Sequence, residues 1–253
     1  MGIYLNPDNE GFSTSVRSKI YIDKTGLIDY MNQILDTEDK FISVSRPRRF
    51  GKSMAAKMLI AYYSRGCNSH ELFQNYEIAE KDSFLQNLNK YDVIRLDMQL
   101  IRSTAMNEGC RDKLLFYLQE KVIEELTQVY GEFLTGKEKS LAGAFQQLHA
   151  SGGTKFIVII DEWDCIFREE KENRELQEEY ITFLRSLFKG AAAEECIHLA
   201  YITGILPIKK YGTESALNNF DEYTMIHPKG LTDYFGFTEA EVEGLCRKYE
   251  MDF

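Results

Sequence analysis

Apolar residues along this chain fall into two patterns that alternate. Unbroken or nearly unbroken runs occur from Lys40 to Ser45, Asp92 to Asp97, Phe156 to Ile160 and Ile197 to Ile202, with a shorter one from Tyr223 to Ile226. A run without polar alternation suits a strand buried on both faces of a parallel sheet. Between the runs, apolar residues recur every three or four positions, as on one face of a helix. Met54, Met58 and Tyr62 form such a stripe, with Gly66 placed to stop the helix, and Leu114, Leu118, Val122 and Leu126 form another that ends near Gly131. A polar stretch from Thr135 to Ser140 and a short helix lead to the third run, and Leu176, Tyr180, Phe183, Leu184 and Leu187 stripe a helix ended at Gly190. The segment from Ile20 to Leu35 reads as strand and then helix. Thr238-Glu239-Ala240-Glu241 is a capping box opening a helix with Val242, Leu245 and Tyr249 on one side.

Strands alternating with helices predict an α/β fold of three layers, with a mostly parallel five-stranded core sheet and right-handed crossovers. The expected division is a core over residues 1–230 and the start of a helical lid over 231–253. Because the chain stops just after the last helix, the reading is of the N-terminal piece of a longer protein.

Two of the runs end in chemistry. The first passes into Ser45-Arg46-Pro47-Arg48-Arg49-Phe50-Gly51-Lys52-Ser53, a phosphate-binding loop of the form G-x-x-x-x-G-K-[ST] with Arg46 in place of the first glycine. Gly51 permits close backbone approach, and the amides of Phe50 to Ser53 can point at phosphates from a helix N-terminus. Lys52 supplies a charge for the β- and γ-phosphates, and the Ser53 hydroxyl is a Mg²⁺ ligand. The loop as a whole, from Arg46, Pro47, Arg48 and Arg49 through to Met54, is assigned to the nucleotide. The other run ends in Asp161-Glu162, where Asp161 would orient Mg²⁺ and Glu162 would activate a water as general base. Either motif alone is weak, but together and in this order they specify a P-loop nucleoside-triphosphate site. Trp163 reads as packing, and Asp164 as part of a helical turn. The fourth strand ends at Thr203-Gly204, where Thr203 could position the attacking water or equally be a satisfied loop threonine. The connection from Leu206 to Asn219, with Lys209, Lys210, Asn218 and Asn219, reads as a solvated loop.

Composition narrows the class. The chain has 253 residues, 44% of them hydrophobic, which is enough for one large core. A net charge of −10 argues against a dedicated nucleic-acid surface, so the Arg46 to Arg49 cluster is assigned to phosphates. Five scattered cysteines without a C-x-x-C pattern read as reduced cytoplasmic thiols rather than a disulfide framework or metal site. No apolar stretch approaches 18 residues, so neither a membrane span nor a secretory leader is expected.

The phrases Tyr21-Ile22-Asp23-Lys24-Thr25, Ser45 to Ser53, Ile160-Asp161-Glu162-Trp163-Asp164 and Tyr234-Phe235-Gly236-Phe237-Thr238 resemble the bacterial AAA-ATPase-like family over nearly the whole chain. In that family an arginine at the position of Arg46 belongs to the pattern, and the module precedes a PD-(D/E)XK nuclease-like domain that this sequence lacks. The resemblance implies an AAA/STAND-type core that binds ATP or ADP with Mg²⁺, carries a helical lid, and places the segment around Tyr21 and Asp23 near the adenine. Homo-oligomers are a further expectation. No arginine finger is identifiable, since Arg168 and Arg185 read as surface helix residues. Two other functions compete with hydrolysis: a nucleotide-gated switch or scaffold with little turnover, and a nuclease using Asp161 with Glu169-Glu170-Lys171.

Overall fold

Strands that are apolar on both sides need a layer of helices over each face, and the chain supplies one in two blocks. The structure, a computed structural model, describes residues 1–208 and 217–253. Lys209 and Lys210 lie outside the described residues. Five strands, β1 (Phe41–Ser45), β2 (Asp92–Asp97), β3 (Phe156–Asp161), β4 (Ile197–Gly204) and β5 (Asp221–Tyr223), form one sheet in the order β2-β3-β4-β1-β5, with every neighbouring pair parallel. The pleat sends Ile42, Val44, Ile157, Ile159 and Tyr201 to one side. There they meet α1 (Glu10–Val16), α2 (Gly26–Ile34) and α3 (Lys52–Tyr63). Phe41, Val158, Ile160 and Ile202 go to the other side, under α4 (Met98–Asn107), α5 (Leu114–Tyr130), α6 (Leu141–Gly152), α7 (Cys165–Glu169), α8 (Arg174–Phe188) and α9 (Ala191–Cys196). The result is the expected three-layer α/β arrangement of a P-loop fold.

The sheet's outer edge at β2 does not stand open. Leu5 bridges antiparallel to Ile94, with the Asn6 N–H donating to the Val93 carbonyl and the Arg95 N–H to the Tyr4 carbonyl, each at 2.8 Å. The Glu125 carboxylate on α5 then accepts the N–H groups of Ile3, Tyr4 and Leu5 at 2.8 to 2.9 Å.

Three expectations shift. Residues 20–24 form no strand but an irregular segment that leads into α2. β5 lies two residues earlier than read, over Asp221–Tyr223, and Met225 and Ile226 beyond it are exposed. α4, nucleated by the Asp97 side chain accepting the Leu100 N–H at 3.0 Å, was not foreseen. The last helix, α10 (Glu239–Lys248), has the capping box that its sequence announces, yet none of its residues is fully buried. It is tied to the segment before α2, with the Tyr249 hydroxyl donating to the Lys19 carbonyl at 2.6 Å. All five cysteines are free thiols, and no helix among the described residues is long and apolar enough to cross a membrane.

Candidate functional site

The sheet order decides what can meet. β4 lies between β1 and β3, so the loop after β1 and the carboxylates after β3 are separated by one strand whose own end carries Thr203 and Gly204. In register, Thr203 faces Asp161 on one side and Val44 on the other, and Asp97 of β2 faces Asp161 in turn. Asp161 follows Ile159, and Thr203 follows Tyr201, by two residues, so both side chains emerge on the face that carries α3. The Thr203 hydroxyl is buried and, apart from the neighbouring Tyr201 hydroxyl, has no hydrogen-bond partner among the described residues. A buried hydroxyl with hydrogen-bonding capacity to spare invites a ligand or an ordered water.

The loop from Ser45 to Ser53 feeds α3. Arg49 takes a left-handed backbone with φ of 70°, and Gly51 with φ of 79° precedes the first helical turn. An added Cβ at Gly51 would meet nothing, so its glycine answers the backbone angle rather than a close neighbour. The N–H groups of Gly51, Lys52 and Ser53 have no acceptor among the described residues. Lys52 is buried, and its ammonium donates to the Pro47 carbonyl at 3.0 Å. Burial pushes its pKa down, while the carboxylates of Glu162, Asp161 and Asp164 act the other way.

Around this turn the molecule has two hollows of opposite character. One, of about 580 Å³, is walled by Arg48, Ser53, Asp97, Asp161, Glu162 and Arg168. Within it, burial raises the Asp161 pKa from 3.8 to about 6, against the pull of a hydrogen bond from Ser53 and with a further push from Asp97 and Glu162. A hydroxyl and a carboxylate side by side fit a hard cation such as Mg²⁺, which needs only one or two protein oxygens beside water and phosphate. The other hollow, about 130 Å³, is apolar: Tyr21, Ile22, Phe50, Met54, Tyr234 and Phe237 line it. Gly51 borders it, and the Phe50 carbonyl accepts the Gly236 N–H at 3.1 Å, so the turn before α10 is hooked to the loop.

Residues 13–213 match the model of a family described as predicted AAA-ATPase. The chain belongs to that family. It is also similar to a protein of Azotobacter chroococcum mcd 1 described as "Uncharacterized protein in vnfD 5'region", with 25% identity over 233 residues. That similarity covers 89% of this chain but only 41% of the relative, so the chain spans about two fifths of the relative's length.

Within this family member, the residues singled out in the sequence divide. Lys52, Ser53, Asp161, Glu162 and Thr203 converge at the charged hollow or beside it, and Arg48 reaches its rim. Tyr21, Arg49, Phe50, Gly51 and Met54 line the apolar one. Arg46 does neither. It is buried, its guanidinium donates to the carbonyls of Ser45 at 3.0 Å and Tyr223 at 2.7 Å, and it lies 5.4 Å from the Phe235 ring centre. It joins the loop to β5 and the turn before α10, so its side chain is not directed at the charged hollow. Pro47 contributes through its carbonyl alone.

One residue was misread. Arg168, taken for a surface position, has a side chain only 14% exposed and is ion-paired to Glu162. Asp164 is fully buried; its Oδ2 accepts the N–H groups of Ile205 at 3.1 Å and Leu206 at 2.9 Å and lies 3.1 Å from Arg168 Nε. Gly204 makes that approach feasible, since a Cβ there would lie 2.7 Å from Asp164 Oδ1 and 2.8 Å from the Trp163 ring. The charged run from Arg168 to Glu175 hid the arginine, because solvated helix faces look the same in sequence.

Proposed function

We propose that this chain is a magnesium-dependent ATPase, and that Lys52, Ser53, Asp161, Glu162 and Thr203 carry the reaction. The observation that supports this best is the register that lines up Asp161 with the buried Thr203 hydroxyl, beside a loop whose Gly51 to Ser53 amides have no acceptor among the described residues. Those amides and the Lys52 ammonium bind the phosphates, with Lys52 giving up the Pro47 carbonyl to reach them. The Ser53 hydroxyl and the Asp161 carboxylate hold the magnesium ion, which when bound neutralises phosphate charge. Glu162 accepts a proton from the attacking water, and the Thr203 hydroxyl orients it. The base fits the apolar hollow between Tyr21 and Phe237, under the turn that begins the lid. The core and lid division at residue 230 is part of the same proposal.

The nuclease alternative loses support, because the Glu170 carboxylate is locked between Arg102 at 2.6 Å and Arg111 at 2.8 Å. No cluster of three or more His, Cys, Asp or Glu among the described residues is arranged to hold a metal. The switch alternative keeps one observation in its favour: Glu162 is engaged with Arg168 rather than free.

Calorimetry and steady-state hydrolysis test the proposal together. Lys52→Ala should weaken MgATP and MgADP binding by an order of magnitude or more through the lost charge. Glu162→Gln should bind MgATP and stop turnover, since only the transition state uses the base. Unchanged affinity in the first variant, or parental turnover in the second, would sink the assignment.

A further inference from the structure

The ion pair between Glu162 and Arg168 is not an incidental surface contact. Side chains at both ends are largely covered, 24% exposed at Glu162 and 14% at Arg168, and both wall the charged hollow. Glu162 is held in a left-handed backbone with φ of 54°, a conformation that costs a non-glycine residue energy and must be imposed by its surroundings. Arg168 is anchored from behind by Asp164, which also fastens the two amides that follow β4, and Glu169 Oε1 lies 3.7 Å from its guanidinium. Leu206, one of the two residues so fastened, accepts the Ser45 hydroxyl through its carbonyl at 3.0 Å. A continuous polar chain therefore runs from the start of the phosphate loop, through the segment after β4, to Asp164, Arg168 and Glu162. A guanidinium so placed has two candidate partners of the same sign within one hollow: the Glu162 carboxylate and the terminal phosphate of a nucleotide on the loop.

We propose that Arg168 is a positioning residue that senses the terminal phosphate: it holds the Glu162 carboxylate when that phosphate is absent and releases it when the phosphate takes over the guanidinium. The inference rests on the nucleotide reading above and deepens it, because it says how the site distinguishes a triphosphate from a diphosphate. Arginine suits the task, since its planar fork keeps its charge at any physiological pH and can grip phosphate and carboxylate alike. Asp164 keeps the side chain from leaving the hollow during the exchange.

The sole tryptophan, Trp163, lies buried between Glu162 and Asp164 and gives the readout without a label. Titrations of MgATP and MgADP are followed by its fluorescence and checked by calorimetry, in the wild type, Glu162→Gln, Arg168→Gln, Arg168→Lys and the Glu162→Gln/Arg168→Gln double variant. The wild type should prefer MgATP over MgADP by about tenfold or more, the order of one charge-assisted contact. Arg168→Gln should abolish that preference with MgADP affinity unchanged, and Arg168→Lys should restore part of it. Glu162→Gln should tighten MgATP several-fold, because the competing carboxylate is gone, and the gain should vanish in the Arg168→Gln background. A gain that persists in the double variant, or a preference for ATP that survives Arg168→Gln, would overturn the proposal. If Arg168→Gln does not fold, Arg168→Lys decides: a lysine variant with the full wild-type preference and no change in kcat would show that the guanidinium does nothing specific. Failure of the underlying nucleotide reading is distinguishable, since Lys52→Ala would then leave MgADP affinity untouched whatever Arg168 does.

Discussion

Asp161 carries its charge at a cost. With the carboxyl pushed up to about 6 by burial and about 3.9 in an unfolded chain, the native state binds more protons than the unfolded one between those values. Stability from this group is therefore fully present below about pH 4 and lost as pH rises through about 6. Asp161→Asn should stabilise the nucleotide-free chain by roughly 1 to 2 kcal/mol at pH 8, a gain that shrinks as the pH falls towards 4. Thermal melts across that range check it, and a variant that melts lower than the parent at pH 8 would refute it. The same change should weaken magnesium-dependent nucleotide binding, and in the parent that binding should decline as the pH drops below about 6. The nearness of these residues was legible where a short motif fixes it: Ser53, Asp161 and Glu162 wall one hollow, and Lys52 lies close enough to feel both carboxylates. Arg46 and Arg168 were read the wrong way round. Both are basic residues in charged surroundings, and only the fold shows that the first serves the carbonyls of Ser45 and Tyr223 while the second pairs with the Glu162 carboxylate.

Among the elements, the four long strands were legible because runs buried on both faces carry their own signature. β5 was not, since a three-residue edge strand with Asp221 and Glu222 in it has no such signature. α4 escaped because only Met98, Ile101 and Ala105 of its ten residues are buried. The last helix, α10, was found through its capping box, but not its attachment. Glu241 completes the box by accepting the Thr238 N–H at 2.7 Å and pairs with Lys24 at 2.6 Å, while Lys24 also donates to the Asp233 carbonyl. Lys24 borders the apolar hollow, so this pair fastens α10 beside the place proposed for the base. Lys24→Ala should raise the Kd for nucleotide several-fold and lower global stability by about 1 to 3 kcal/mol, because the pair is largely covered, 15% exposed at Lys24 and 24% at Glu241. Isothermal titration and a thermal scan in parallel would test this, and an unchanged Kd would show that α10 is not held through Lys24.

At the scale of the molecule, sequence order could not give strand order. Nothing in the spacing of the two motifs says that β4 intervenes between their strands, which sets them two strand spacings apart, roughly 9 to 10 Å. That gap is what brings Thr203 between the loop and Asp161. Adjacent strands would have left no strand end to fill it.

Residues 3–6 cover the outer edge of β2. Were residues 3–6 lifted away, β2 would present its backbone groups as an open template for a second molecule, and long apolar edges of that kind are where sheet proteins join up wrongly. Tyr4, Leu5 and Asn6 fill that template with a strip too short to be extended, and Glu125 locks the strip by its amides. A chain lacking residues 1–6 should therefore be prone to self-association that grows with protein concentration and temperature, as light scattering would report, and Glu125→Ala should show a milder form of the same defect. A truncated chain that stays monodisperse would mean that the edge is guarded by something else. Residues 3–6 thus close the sheet at β2.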